Sequence, residues 1–216
     1  NFHDGSRAGM WYAPRIGTWG ALQAERERKM LFDYFCLGAI FIIGCYYFLV
    51  FLLRTSERAP LWLAIFCLIM AGRIFLIGRY FEEANPGSDL FWLLSRLDYL
   101  SFYLAVPVFC MFLNTALVKF FHRIAAMAVY IIGGLFSLLV ILLPVELYTA
   151  MLPLYQIYAL AACVLVLYNL LRKALIHRDL LARISLLGIL LLVAAVVNDI
   201  LHAEQIIHSK FISQYI

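Results

Sequence analysis

The sequence predicts an all-α, polytopic transmembrane helical bundle, and three observations carry that prediction. Hydrophobic residues make up 65% of the 216 positions and charged residues only 14%, against roughly 45–50% and about 25% in a soluble domain. Six apolar stretches each approach the ~20 residues that a helix needs to cross a hydrocarbon core about 30 Å thick. The connectors between them are short, and their charge alternates in sign along the chain. A water-soluble fold of this length has too little interior for so much apolar surface. Membrane strands are disfavoured because runs this long lack period-two alternation.

The first 20 residues differ in kind from the rest. Phe2 to Gly20 is polar and rich in glycine and aromatics. It reads either as a linker with interfacial tryptophans or as the last strand and turn of an extracytoplasmic β-domain. Residues 1–20 are therefore assigned as the remnant or linker of an extracytoplasmic domain, and 21–216 as the transmembrane domain. Thr18 is the expected N-cap of a helix that runs through Glu25 and Lys29, an i,i+4 pair, directly into the membrane.

The spans follow in order. The first runs from Met30 to Leu53, and the second from Ala59 to Ile77, interrupted by Arg73. The third lies within Leu90 to Val118, its body from position 92, with Arg96 and Asp98 near its start. The fourth, Ile124 to Leu143, and the fifth, Leu147 to Leu171, contain no formal charge. The sixth runs from Ile184 to Leu201, with His202 at its edge, and holds Asp199. Pro107 and Pro153 fall inside the third and fifth spans and predict kinks. Gly133-Gly134 in the fourth allows close helix approach.

Orientation follows from the basic residues, which mark the cytoplasmic side. Arg54 and Arg58, then Lys119 and Arg123, then Arg172, Lys173, Arg178 and Arg183 occupy one set of connectors. The other set holds Glu82, Glu83, Asp89, Glu146 and Glu204, with Lys210. The N-terminus is thus expected outside. Arg26, Arg28 and Lys29 oppose this locally, but a preceding translocated domain would override them. Six crossings from outside end outside, and 203–216 is too short and polar to cross again, so a seventh helix is expected beyond Ile216.

The chemistry within the spans is charge. In this topology Arg73, Asp98 and Asp199 lie at similar depth, in the outer third of the bilayer. An ionised group near the bilayer centre costs roughly 2.5–3.5 kcal/mol on insertion scales, so such residues turn inward and pair. Arg73 is expected to pair with Asp98 or Asp199, while Asn198, Asp199 and His202 share one helical face. Arg79 and Arg96 sit nearer the interface and can snorkel. Two readings remain open: a buried clasp that sets helix register, or a polar switch that senses a ligand or the sensor domain.

Other motifs carry no chemistry. His177-Arg-Asp-Leu180 copies the start of a kinase catalytic loop, but Ile184 stands where that loop needs Asn. Cys36, Cys45, Cys67, Cys110 and Cys163 are scattered through the spans without C-x-x-C spacing, and no H-E-x-x-H is present. No catalytic residue, metal or cofactor is therefore expected, and this stretch of chain reads as non-enzymatic.

Several strings together resemble one family. Gly9-Met-Trp-Tyr-Ala-Pro-Arg-Ile-Gly17 precedes the membrane; Phe35-Cys-Leu-Gly38 and Tyr46-Tyr-Phe-Leu-Val-Phe-Leu-Leu-Arg54 lie in the first span. Arg73-Ile-Phe-Leu-Ile-Gly78, Arg96-Leu-Asp-Tyr-Leu-Ser101 and Asn198-Asp-Ile-Leu201 follow in the second, third and sixth. In this order they resemble the bacterial seven-transmembrane receptors with diverse intracellular signalling modules. The resemblance implies a periplasmic jelly-roll-like sensor domain, seven helices and a cytoplasmic histidine kinase, diguanylate cyclase or phosphatase. It makes Trp11, Pro14, Gly17 and Trp19 the expected coupling between sensor and membrane. Expected partners are membrane lipids, a periplasmic ligand or protein, an output domain in the same chain and a second copy; nucleic acid is not among them. The rival classes are a transporter or channel, which needs a polar path that the apolar cytoplasmic halves do not offer, and a structural subunit of a larger complex.

Overall fold

The computed structural model describes residues 17–78, 90–117, 120–175 and 180–203. Trp11, Pro14 and Arg79, and the expected strand before the membrane, lie outside the described residues. The helices are α1 (Trp19–Leu53), α2 (Ala59–Gly78), α3 (Leu90–Ala116), α4 (Arg123–Leu142), α5 (Val145–Ala150), α6 (Leu152–Leu175) and α7 (Leu180–Ala203). Among the described residues there is no strand. By length and composition α1, α2, α3, α4 and α6 can cross a membrane; in α7 the described apolar stretch is the shorter Ser185–Asn198. The protein is a polytopic helical bundle.

α1 begins eleven residues before the first predicted span and has no break. Its 35 residues correspond to about 52 Å of helix, well beyond the ~30 Å of a hydrocarbon core. Thr18 occupies the N-cap position, but its hydroxyl makes no capping bond. Its carbonyl instead receives the N–H groups of Ala21 and Leu22.

The fifth span departs from expectation. The sequence predicts one helix over 147–171 with Pro153 in its interior, whereas the chain forms α5, turns at Met151 and starts again as α6. The cause is local. Pro153 has no N–H to bond the Thr149 carbonyl, and its ring crowds that oxygen in a continuous helix. As the second residue of a new helix the same proline loses nothing, because the first-turn N–H groups have no helical partner anyway. Pro107, by contrast, sits within an unbroken α3.

Between helices in lipid there is little hydrophobic driving force, so small residues and polar contacts decide which helices meet. α1 meets α2 at Gly44, where an added Cβ would stand 3.2 Å from Cys67 Cβ. α2 meets α3 through Phe66 and Phe109, ring centroids 5.1 Å apart. α3 meets α4 at Pro107 and Gly133, and α6 closes against both. α7 packs on α6. The interior divides in two along the helix axes. One cluster, around Cys110, Leu113, Phe120, Val129, Val166 and Leu170, is mainly aliphatic. The other, around Tyr103, Phe136, Tyr148, Leu152 and Tyr155, is dominated by aromatic rings.

Candidate functional site

The charged residues of α2 and α3 come together at the aromatic end of the bundle. Arg73 Nη1 lies 3.3 Å from Asp98 Oδ1 and donates to the Asp98 backbone oxygen at 3.3 Å as well. The same guanidinium sits over the Phe102 ring, 4.6 Å from its centroid. Ser101 donates to the Asp98 carbonyl at 2.7 Å. One cation therefore holds a carboxylate, a carbonyl and a ring face, all from one turn of α3. The pair is lopsided: the Arg73 side chain is 15% exposed and that of Asp98 36%, so the carboxylate is the accessible member.

Around this pair lies a set of tyrosines that donate to backbone carbonyls on other helices. Tyr103 donates to the Tyr148 oxygen at 3.1 Å, in the last turn of α5, where carbonyls lack helical partners. Tyr155 donates to the Phe102 and Tyr103 oxygens at 3.0 and 3.3 Å. Tyr158 donates to the Val129 oxygen of α4 at 2.8 Å. The Tyr155 contact has a covalent origin. In a regular helix the Tyr103 carbonyl receives the N–H of residue 107, and residue 107 is proline, which has none. Rings bind the cluster further: Tyr103 and Tyr155 are 4.3 Å apart, Phe102 and Tyr155 5.0 Å, and Tyr99 and Tyr148 5.1 Å. Ser95 of α3 reaches the Tyr148 hydroxyl at 3.4 Å.

Gly133 makes this packing geometrically possible. A Cβ there would meet Pro107 Cγ at 2.7 Å and the Tyr158 hydroxyl at 2.9 Å, whereas one at Gly134 would meet nothing within 4 Å. The glycine pair thus serves packing within the chain at its first member alone.

Of the expected site residues, the structure brings Arg73 and Asp98 together. Asn198 lies in the last part of α7 and is half-buried; the side chains of Asp199 and His202 lie outside the described residues. Arg96 is exposed on α3, and Gly17 precedes α1. Trp19 opens α1 and is fully out on the surface, at 82% exposure. Several buried polar residues escaped sequence reasoning, Asp33 and Gln156 among them. Asp33 is 3% exposed and, with Gly44, is one of the two buried residues of α1. Gln156 is 5% exposed, directly after Tyr155. Asp33 is readable in sequence as a carboxylate three residues inside a span, but the basic run before it makes it look interfacial. Among the described residues no group of three His, Cys, Asp or Glu side chains gathers as a metal site.

The family model described as 7TM diverse intracellular signalling matches residues 29–216. No curated protein and no solved structure matches the chain.

Proposed function

The chain belongs to the 7TM diverse intracellular signalling family of transmembrane receptors, and from that premise we propose that it carries a signal from the periplasm to a cytoplasmic output module. The module would be a histidine kinase, diguanylate cyclase or phosphatase in the same polypeptide. Residues 1–20 would join a periplasmic sensor domain to the membrane, the N-terminus would lie outside the inner membrane, and a seventh helix would follow Ile216.

The observation that carries the mechanism is the Arg73–Asp98 pair with its half-exposed carboxylate. Interhelical polar contacts in membranes average only about 0.6 kcal/mol, so a ligand or a shifted domain has ample free energy to rearrange one. α1 supplies the mechanical input: it is continuous from Trp19 and touches the bundle through α2, the helix that holds Arg73. A displacement of α1 would press on α2, and the pair between α2 and α3 would settle into a second arrangement. The remaining helices would relay that change to the output module.

The test is substitution in the full-length receptor. Asp98→Asn and Arg73→Ala are expected to lock output high or low while expression and membrane insertion stay normal. Wild-type signalling in both variants, at normal expression, would remove the pair from the mechanism.

A further inference from the structure

We propose that Tyr155 is the positioning residue that lets α6 read the state of the Arg73–Asp98 pair. The inference rests on the switch reading above and adds to it the route by which a change between α2 and α3 reaches the second half of the bundle.

The route is short and made of contacts already in place. Arg73 stands over the Phe102 ring at 4.6 Å, and that ring packs on Tyr155 at 5.0 Å. The Tyr155 hydroxyl holds the backbone of the same residue, through the Phe102 oxygen at 3.0 Å, and shares its proton with the Tyr103 oxygen at 3.3 Å. α6 thus grips the turn of α3 immediately following Asp98, by both its ring and its main chain.

The place of this grip is set by Pro107. The missing N–H leaves the Tyr103 carbonyl open to an outside donor and removes one rung from the α3 ladder, so the helix is most easily bent there. A hydroxyl that holds the Phe102 and Tyr103 carbonyls, both on the Asp98 side of that bend, ties the segment carrying Asp98 to α6 and so biases its angle to the segment packed on α4. When Arg73 leaves Asp98 and the Phe102 ring, the load on that angle changes, and Tyr155 is the α6 side chain that feels it. Since α7 packs on α6, the displacement continues towards the C-terminal end.

The test uses the full-length receptor in its own membrane and reads basal output, so no stimulus has to be identified. Tyr155→Phe keeps the ring and removes only the hydroxyl. It is expected to shift basal output in the same direction as Arg73→Ala, by roughly three- to ten-fold, the change in a two-state equilibrium that one net hydrogen bond produces. The double variant is expected to shift no further than Arg73→Ala alone, because both changes break one route. Tyr168→Phe removes a hydroxyl from the same helix on a side chain that is 62% exposed and belongs to neither core cluster, and is expected to leave output as it is. Wild-type output in Tyr155→Phe, additive effects in the double variant, or an equal shift in Tyr168→Phe overturns the proposal. If Arg73→Ala and Asp98→Asn are themselves silent, the switch reading falls; if they shift output and Tyr155→Phe does not, only the role of Tyr155 falls.

Discussion

Replacing Gly133 and Gly134 one at a time by alanine gives a matched pair in which the same chemical change meets opposite surroundings. At Gly133 the new methyl would stand 2.7 Å from Pro107 Cγ and 2.9 Å from the Tyr158 hydroxyl, distances that real Cβ atoms do not tolerate. Either α4 moves away from α3, or Tyr158 swings off the Val129 carbonyl it now reaches at 2.8 Å. Overpacking of this kind costs about 1–3 kcal/mol, and the lost hydrogen bond about 0.5–1.5 kcal/mol. Alanine's better helix propensity returns about 0.8–1 kcal/mol. The net for Gly133→Ala is therefore a destabilisation of roughly 2 kcal/mol, or about 4–8 °C in Tm for a chain of this size. At Gly134 nothing lies within 4 Å, so only the propensity gain of up to about 1 kcal/mol remains. Thermal unfolding of the purified variants in one detergent measures both. Adding Tyr158→Phe to Gly133→Ala removes one of the two clashes and is expected to recover part of the loss. Equal stability of the two alanine variants would refute the close approach of α3 and α4 at Pro107.

Two further outcomes follow from single contacts. Gln156 is 5% exposed, and none of the hydrogen bonds among the described residues involves its amide; a buried polar group left without a bond costs about 1–3 kcal/mol. Gln156→Leu is expected to raise the thermal midpoint, and a lowered midpoint would show that the amide has a stabilising role. Gly44→Leu would force a large side chain against Cys67 and Leu68 and part α1 from α2. Maleimide labelling in detergent is then expected to reach Cys67, which is 9% exposed, while Cys110 at 2% stays protected; unchanged protection of Cys67 would count against the contact.

Much of this architecture was legible because hydropathy and length act residue by residue. The starts and stops of α2, α3 and α4 lie within a residue or two of the positions at which the apolar stretches begin and end. The division at Met151 was not legible, since the fifth stretch is apolar throughout and only the position of Pro153 within it distinguishes a kinked helix from two helices. At the site, Arg73 and Asp98 stand out as charges in apolar helices. The tyrosines do not, because a helix apolar on every side has no periodic pattern from which to tell its inward face. Half of the Tyr155 contact was nonetheless written locally: a proline at 107 opens the carbonyl at 103. Which residue answers it depends on how α6 crosses α3, and no local rule supplies that.

The Arg73–Asp98 pair also bears on what kind of stimulus such a receptor can register. A membrane potential of 100 mV does about 2.3 kcal/mol of work on a unit charge carried across the whole bilayer. Two opposite charges that travel together do no net work in that field, at any depth. Separating them by their own 3.3 Å spacing, out of a core about 30 Å thick, amounts to roughly a tenth of that work, or about 0.25 kcal/mol, which is below RT. A rearrangement that keeps the pair, or parts it by no more than that distance, is therefore nearly independent of voltage.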